Sequence, residues 1–463
     1  MSPAPPRLAA ALAVLLALAP PARAQQPLPC PDCNPPKRFW TAGWQLMAVQ
    51  LIPWSVNAIA RDAEWAHVSP ATWGDNLAFP WQWDNNKFLN NQFSHPYHGN
   101  LYFNAARTNG YDFWESAPWA LGGSLMWEIF GEVWAPSPND LLNTTLGGIA
   151  LGETLYRLSS LVLDNTATGS ERTWREIGAT ALNPVRGFNR LTRGEMNDVT
   201  ANPPDWRPSG IFGSLELGYR RFATDLDVTD PDALSQSYLA LRLLYGDQVE
   251  DLDRAPFSTF TLSGMVSSNP GEGKALAELR ARGNLGAREV FDDSGRHQLA
   301  GFMHYTFLSN PILEYGAQGF SGGLVTRSAP DRKGPTLYAE ALGTFNPIAA
   351  VQSDYFVTAE GRDYDYGVAF GANLTGRAVW GGRAALAATA GYIWLPVLSG
   401  FSGDHQIITA SAEGRYYLGG KYGLGLTYTL FSRVSDYRHQ VDTDQDASEA
   451  RLFFSLAVPR WTP

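Results

Sequence analysis

Residues 214–220 read Ser-Leu-Glu-Leu-Gly-Tyr-Arg, and this stretch decides the fold of the C-terminal half of the chain. The apolar residues Leu215, Leu217 and Tyr219 alternate in it with polar or small ones. Successive side chains of a β-strand point to opposite faces, whereas a helix repeats every three to four residues. A period of two with one apolar side therefore predicts a strand.

The same alternation recurs about a dozen times between Ile211 and the C-terminus, in segments of roughly nine to thirteen residues. A soluble β-sandwich would show this alternation as well, but its strands are usually shorter. A tilted strand needs about 9–11 residues to cross a bilayer. The segment length therefore favours a transmembrane β-barrel. Counting back from the C-terminus predicts twelve strands, with both ends of the barrel chain in the periplasm.

The links between these segments also indicate a barrel. Short links are predicted at 381–382 and 419–420, and longer polar links at 224–234, 346–364 and 434–447. Outer-membrane barrels have short periplasmic turns and longer extracellular loops. We therefore expect the two kinds of link to lie at opposite ends of the barrel.

Closure of the sheet follows from the membrane environment. An open edge in lipid would leave peptide groups unpaired, which costs several kcal/mol for each group. The predicted fold class is mainly β, with a C-terminal antiparallel transmembrane β-barrel of about 12 strands at residues 210–463 and an N-terminal α-helical domain. Residues 452–458, followed by Trp461, resemble the aromatic terminal strand of outer-membrane proteins, although the chain ends in Thr-Pro. The barrel insertion machinery is the partner expected to recognise it.

The polar side of the predicted strands carries both acidic and basic residues. An Arg on the lipid face near the bilayer centre would cost about 2–4 kcal/mol, so these residues are expected to face the lumen. Mixed charges in a narrow lumen favour a plug of ion pairs over a selective pore. The predicted lumen residues are Glu216, Arg220, Arg242, Glu278, Arg280, Arg282, Glu340, Glu413 and Arg415.

The N-terminus has the pattern of a secretory signal. An apolar run follows Arg7, and the small-x-small site at residues 22–24 precedes the expected cleavage point, so residues 1–24 are predicted to be a signal peptide. Residues 25–37 form a Pro-rich leader that contains Cys30 and Cys33. In an exported protein this nearby pair indicates a local disulfide; a redox site would need a βαβ context.

Composition excludes two classes of protein. The formal net charge is −10 and the basic residues form no run or stripe, so nucleic acid is not an expected partner. The chain after the signal lacks an uninterrupted apolar run of about eighteen residues, so a bundle of transmembrane helices is not expected either.

Residues 38–165 differ in character from the barrel half, because eleven of the sixteen tryptophans lie between Trp40 and Trp134. Helices are predicted at 39–64, broken near Pro53, and at 118–134 and 140–163. Such apolar, Trp-flanked segments suit a membrane–water interface or an apolar protein groove. Residues 166–209 are predicted to be a linker with short helices.

Two motifs stand out in this aromatic region. Residues 95–99 read His-Pro-Tyr-His-Gly, and residues 143–148 read Asn-Thr-Thr-Leu-Gly-Gly, with glycines at 148 and 152 one turn apart. These motifs resemble the bacterial envelope family called domain of unknown function 3943, over about residues 75–195. The resemblance implies a helical module attached to an outer-membrane barrel and brings no activity with it. For the glycines, tight helix packing is the favoured explanation.

The polar residues of this region raise the question of a metal site. His95, His98, Glu128 and Glu132 would satisfy zinc or iron in number. Pro96, however, is expected to keep the two histidines off a regular helical face. We favour a structural role, in which these side chains satisfy one another in a long aromatic loop, and we expect no cofactor.

A lipid hydrolase or acyltransferase is the enzymatic alternative. It needs a nucleophile beside a base, and the candidates are Ser309 with His304, or His95, His98 and Glu115 in the helical module. Residues 304 and 309 are separated by an odd number of positions, so on a regular strand they point to opposite faces.

We favour a non-enzymatic function. The expectation is an outer-membrane barrel whose helical module lies in the periplasm or inside the barrel, and binds outer-membrane lipid or an envelope protein. A lipid-modifying enzyme and a narrow small-solute channel remain open as alternatives.

Overall fold

The computed structural model describes residues 28–224, 227–230, 232–268, 275–291, 296–329, 334–418 and 421–460. The predicted signal peptide, the predicted Gly-Gly link at 419–420 and Trp461 lie outside the described residues. The chain divides into two compact units, one ending at Arg207 and one beginning at Pro208. We call them the helical unit and the barrel.

The helical unit is built from short to medium α-helices joined by π-helical and 3-10 turns. Among the described helices, none is long and apolar enough to cross a membrane. The α-helices are α1 (Phe39–Ser55), α2 (Pro70–Ala78), α3 (His95–Arg107), α4 (Phe113–Phe130), α5 (Pro138–Leu142), α6 (Gly148–Val162), α7 (Gly169–Leu182) and α8 (Pro184–Thr192). The π-helical turns are Val56–Ala60, Asn90–Ser94 and Asn143–Gly147, and the 3-10 turns are Pro31–Cys33, Glu64–Ala66 and Pro204–Trp206.

Helix α3 is the centre of the helical unit and packs against α1, α4 and α6. Its closest approach is made through glycines: a Cβ atom on Gly99 would lie 1.8 Å from the Thr144 carbonyl oxygen, and one on Gly148 would lie 2.4 Å from the Gly99 carbonyl carbon. A Cβ atom on Gly152 would meet the Phe103 ring at 2.7 Å. Tight packing therefore explains both glycines of the 148–152 pair.

Three helix boundaries differ from the sequence expectation. The predicted break near Pro53 does not occur there, because α1 continues to Ser55 and passes into a π-helical turn. Helix α4 begins at Phe113, five residues before the predicted start, because Asp112 and Glu115 form a reciprocal capping box. The third predicted helix is divided into α5, a π-helical turn and α6.

The barrel is a closed antiparallel sheet of twelve strands, each paired with its neighbours in sequence and β1 paired with β12. The strands are β1 (Ile211–Ala223), β2 (Leu234–Tyr245), β3 (Phe260–Ser267), β4 (Leu276–Glu289), β5 (His297–Ser309), β6 (Glu314–Arg327), β7 (Thr336–Gln352), β8 (Tyr364–Trp380), β9 (Ala384–Ser399), β10 (Gly403–Leu418), β11 (Tyr422–Tyr437) and β12 (Thr443–Arg460). The predicted fold class and strand number are confirmed.

Strand and link lengths depart from the expectation. Strands β7 to β12 have 16 to 18 residues, because pairing continues into segments that were predicted to be loops. The prediction that long links lie at one end only was wrong. The β2–β3 connection, residues 246–259, lies at the end where the barrel chain begins and ends, yet it is long because it folds back into the lumen.

Candidate functional sites

Ion pairs cross the lumen between strands that are not neighbours in the sheet. Arg242 of β2 pairs with Glu413 of β10 at 2.7 Å, and Arg415 of β10 pairs with Glu216 of β1 at 2.7 Å. Arg242 also reaches Glu216 at 3.2 Å. Since β12 and β11 separate β1 from β10, these contacts are possible only across the interior, so the four side chains point inward.

The remaining predicted lumen residues are also paired, either across the lumen, along one strand or with a neighbouring strand. Arg282 of β4 contacts Glu340 of β7 at 2.8 Å, and Arg280 lies 3.5 Å from Glu278. Arg220 lies 3.6 Å from Glu449, a residue that the sequence analysis missed. Each predicted lumen charge is therefore matched by an opposite charge.

Glu449 and its partner Arg451 belong to β12, and the carboxylate accepts two hydrogen bonds from the guanidinium, at 2.8 and 2.7 Å. From the sequence, this strand was expected to begin at Leu452. The alternation continues upstream of that residue, with Ala450 between the two charges. Extending the two-residue period toward the N-terminus would have found both.

Apolar side chains are buried in the lumen in addition to these ion pairs, which we call the charged layer. At the end where the barrel chain begins and ends, Val249 and Leu252 of the β2–β3 connection pack against Phe302, Val325 and neighbouring side chains. A second buried cluster joins strands β5 to β10, which is possible only on the concave inner side of the sheet. Its members are Leu308, Leu313, Tyr315, Ala317, Ala349, Val351, Ala369, Leu395 and Ile407.

A hydroxyl–imidazole–carboxylate array lies beside this second cluster. His405 Nδ1 is 2.9 Å from Ser435 Oγ, and His405 Nε2 is 3.0 Å from Asp365 Oδ2. The order of groups matches that of a serine hydrolase. All three residues are fully buried, however, so a substrate has no access to the hydroxyl. We interpret the array as a satisfied polar contact within the lumen packing.

The serine and histidine proposed from the sequence do not meet. His304 Nε2 is 2.7 Å from Asn346 Oδ1, and Ser309 Oγ donates to Glu314 Oε1 at 2.7 Å. The pairing of β5 with β6 has no register shift between the two residues, so they keep the opposite facing that their spacing implies.

The helical unit contains a second polar site, at the contact between the two sequence motifs. His95 Nδ1 lies 3.2 Å from Thr144 Oγ1, and His95 Nε2 lies 3.7 Å from Asp140 Oδ1. The expectation that Pro96 would hold the histidines in a loop was wrong. His95 and His98 both lie on α3, which continues directly from the π-helical turn Asn90–Ser94.

Carboxylates surround this histidine. The Ser137 backbone N–H donates to Glu128 Oε2 at 2.8 Å. Burial raises the pKa of Glu128 well above its usual range, and the charges of Glu132, Asp140 and Asp84 raise it further. Burial likewise raises the pKa of Glu132. Both carboxyl groups therefore bind a proton more tightly than free carboxylic acids do.

The other candidates from the sequence lie apart from this site. The His98 ring stacks on Tyr102 with centroids 5.6 Å apart, and burial lowers its pKa to about 4. Glu115 caps α4 and pairs with Lys37, which lowers the pKa of this carboxyl group. In the described part of the chain no three His, Cys, Asp or Glu side chains are arranged to hold a metal ion. Cys30 and Cys33 form a disulfide.

An exposed apolar surface covers another side of the helical unit. Helix α1 carries Trp40, Trp44, Met47 and Leu51 at spacings of four, three and four residues, and all four are exposed, with Trp40 at 84%. Such spacing places them on one face. The opposite face of α1, including Leu46, is buried.

Helix α4 repeats this arrangement. Trp114, Pro118, Leu121 and Leu125 are exposed at the same spacings, with Trp114 at 58%. The two helices are adjacent, since the Phe39 and Trp119 rings have centroids 5.5 Å apart and Gln50 Nε2 donates to the Gly123 carbonyl. We call the exposed residues of α1 and α4 the apolar face.

The outer surface of the barrel is apolar. Leu217, Leu374, Leu426 and Leu452 point outward and are more than half exposed, while the interior holds paired charges. A closed sheet with apolar residues outside and charges inside is a transmembrane β-barrel of the outer-membrane type.

Two comparisons with known proteins give matches. Residues 80–185 match the family described as Domain of unknown function (DUF3943). The barrel is similar to the NanC porin, with a TM-score of 0.30 and 10% identity over 52% of this chain and 98% of that chain. It is also similar to an outer membrane channel from Pseudomonas putida F1, with a TM-score of 0.30 and 11% identity over 56% and 100%. A search of curated proteins returned no match.

Proposed function

We propose that the helical unit is a lipid-binding module that lies in the surface of the outer membrane, where the fused barrel retains it. The observation that carries this proposal is the apolar face. Large exposed apolar patches rimmed by polar residues mark interaction sites, because the exposure of apolar surface to water is unfavourable in free energy. Folding of the helical unit alone gives no reason for tryptophans and leucines on the outer side of both helices.

The chemistry of the apolar face favours lipid over a protein partner. Helix α1 contains no charged residue, and of the two glutamates of α4, Glu128 is buried and Glu115 lies at the capped end. Protein interfaces carry a polar rim and about one hydrogen bond per 100–200 Å². A charge-free surface bordered by tryptophan suits the boundary between headgroups and acyl chains.

Nitroxide accessibility tests the proposal on the full chain in lipid nanodiscs. Because Cys30 and Cys33 are joined in a disulfide, a spin label reacts selectively with a cysteine introduced by Met47→Cys or Leu121→Cys. Asp198→Cys, at an exposed position outside the helices, is the matched control. Molecular oxygen concentrates in acyl chains, whereas a polar nickel chelate stays in water.

We expect the labels at positions 47 and 121 to be accessible to oxygen and protected from nickel, and the label at 198 to show the reverse. Nickel access at 47 and 121 equal to that at 198 would contradict the proposal. Protection from both reagents would indicate a protein partner on this surface and would also contradict it.

For the barrel, we propose the role of an anchor with a closed lumen. The support is the charged layer of matched ion pairs together with two buried apolar clusters. Planar-bilayer recording of the purified chain is expected to show no steady conductance. Stable ohmic steps would contradict the anchor and favour the narrow channel.

A further inference from the structure

Arg186 is a buried cation on helix α8. Its side chain is only 7% exposed. The guanidinium lies over the Tyr156 ring at 4.6 Å and over the Trp206 ring at 4.7 Å from the respective centroids. In the described part of the chain, no Asp or Glu oxygen lies within ion-pair distance of it.

The neighbouring arginines differ from Arg186 in this respect. Arg190 donates two hydrogen bonds to Glu176, at 2.9 and 2.7 Å. Arg107 donates in the same two-pronged way to Glu153, at 2.7 and 3.2 Å. Buried charges in proteins are normally paired, because an isolated charge loses its hydration without compensation. Arg186 is therefore the unmatched positive charge of this region.

The nearby acidic group is already engaged. Asp32 lies 3.7 Å from Arg190 and accepts a hydrogen bond from Asn165 at 3.0 Å. Burial lowers the pKa of Arg186, and the positive charges of Arg190 and Arg107 lower it as well, against the opposing effects of Tyr156 and Asp32. The region around Arg186 thus attracts a further anion.

Only one side of the guanidinium is used within the protein. Nη1 donates to the Tyr156 carbonyl at 3.2 Å and to the Ser159 and Ser160 hydroxyls at 3.3 and 2.5 Å. Tyr156, Ser159 and Ser160 lie toward the C-terminal end of α6, whose partial negative charge of about half a unit offsets part of the cation. In the described part of the chain, the N–H groups of Nε and Nη2 make no hydrogen bond, and neither nitrogen is fully enclosed by protein.

We propose that Arg186 is the centre of an oxyanion-binding site, and that its ligand is a phosphate group received by the Nε and Nη2 edge. Parallel N–H groups on a planar guanidinium match two oxygens of a phosphate. The Tyr156 and Trp206 rings lie against the guanidinium, and among the described residues the Nε and Nη2 edge receives no hydrogen-bond acceptor. The phosphate comes from a phospholipid headgroup or from solution, and the lipid source rests on the proposed function above.

Calorimetric titration of the full chain in uncharged maltoside micelles tests the site. Three probes are compared at constant ionic strength: inorganic phosphate, dioctanoyl phosphatidylglycerol, and dioctanoylglycerol, which has the same chains without the phosphate. The variants are Arg186→Gln, Arg186→Lys and the nearby surface control Arg207→Gln, whose side chain is 56% exposed and pairs with Asp164.

We expect the wild type to bind a phosphate-bearing probe, with an affinity reduced on the order of tenfold by Arg186→Gln and unchanged by Arg207→Gln. Arg186→Lys keeps the charge but loses the planar fork, so its affinity is expected to lie between the two. This variant also serves if the Gln variant fails to fold.

The probes separate the two sources. Binding of phosphatidylglycerol more tightly than of either other probe indicates a lipid headgroup, and equal binding of inorganic phosphate indicates a free anion. Absence of phosphate-dependent binding by the wild type would overturn the proposal, as would an equal loss in Arg207→Gln. Nitroxide accessibility at positions 47 and 121 does not depend on Arg186, so failure here leaves the membrane test of the apolar face intact.

Discussion

The barrel and the helical unit place their polar and apolar groups in different ways. In the barrel, charges such as Glu216 point inward and leucines such as Leu217 point outward, so one two-residue period accounts for both surfaces. In the helical unit, α1 and α4 pack one side against α3 and expose the other. The exposed side is apolar, whereas the buried side includes polar residues such as Gln45, Gln50 and Glu128.

Exposed apolar residues therefore have different origins in the two regions. On the barrel they follow from the architecture, since a transmembrane sheet needs an apolar exterior. On the helical unit no folding requirement produces them, and they therefore point to a binding function.

The largest effect is expected from breaking the lumen charge layer. Glu216→Gln removes a carboxylate shared by Arg242 and Arg415. Among the described residues, Glu413 is then the one carboxylate that contacts both guanidinium groups. We expect the free energy of unfolding of the barrel to fall by about 3 kcal/mol, the lower end of the cost of breaking a buried ion pair. Denaturant unfolding in micelles, followed by β-sheet circular dichroism, measures it. Glu360→Gln, at an exposed loop position, is the control. Equal midpoints for the two variants would show that the charge layer does not stabilise the barrel.

A smaller effect, confined to the helical unit, is expected at the contact between α3 and α6. Gly99→Ala would place a Cβ atom 1.8 Å from the Thr144 carbonyl oxygen, so the two helices must separate. Overpacking of this kind costs about 1–3 kcal/mol. In Gly122→Ala, the matched control, the new methyl group meets nothing within 4 Å. Tryptophan fluorescence reports mainly on the helical unit and should shift only in the first variant. An equal shift of the tryptophan fluorescence in Gly122→Ala would contradict the packing explanation.

The polar site should give the stability of the helical unit a dependence on pH that the variant Glu128→Gln lacks. Because the pKa of Glu128 is raised in the folded state, the wild type loses stability as pH rises through that pKa. Glu128→Gln should therefore melt at a higher temperature than wild type at about pH 8, with the difference shrinking toward about pH 4.

The pKa shift of His98 has the opposite effect on stability, which falls at acid pH because of it. Its pKa is lowered to about 4 in the folded state, so its contribution is lost as pH falls below the ordinary value of 6.5. The Glu128→Gln variant should show this loss of stability at acid pH as the wild type does. A variant that melts below wild type at alkaline pH would contradict a protonated Glu128.

The sequence was sufficient for the barrel because its physical rule is local. Each residue between Ile211 and the C-terminus shows its facing through its immediate neighbours, which is why the strand number was predictable. The β2–β3 connection was not predictable, because nothing in a turn-rich segment indicates that Val249 and Leu252 pack inside the lumen.

The helical unit was harder to predict because its contacts join residues far apart in the chain. Asp112 and Glu115 start α4 through a local signal that was overlooked. By contrast, the contact of His95 with Thr144 and Asp140 depends on the packing of α3 against the turn before α6. Arg186 carried no motif, and only the structure reveals that its charge is unmatched.

Quenching by brominated phospholipids tests the central claim, that the apolar face of the helical unit lies in lipid. Trp380 and Trp394 face outward on the barrel, and replacing them and Trp461 with Phe leaves only the tryptophans between Trp40 and Trp206. The claim predicts that this variant is still strongly quenched in nanodiscs with brominated acyl chains, and that adding Trp40→Phe and Trp44→Phe removes a large part of the quenching. Fluorescence unaffected by the brominated chains in the first variant would contradict it.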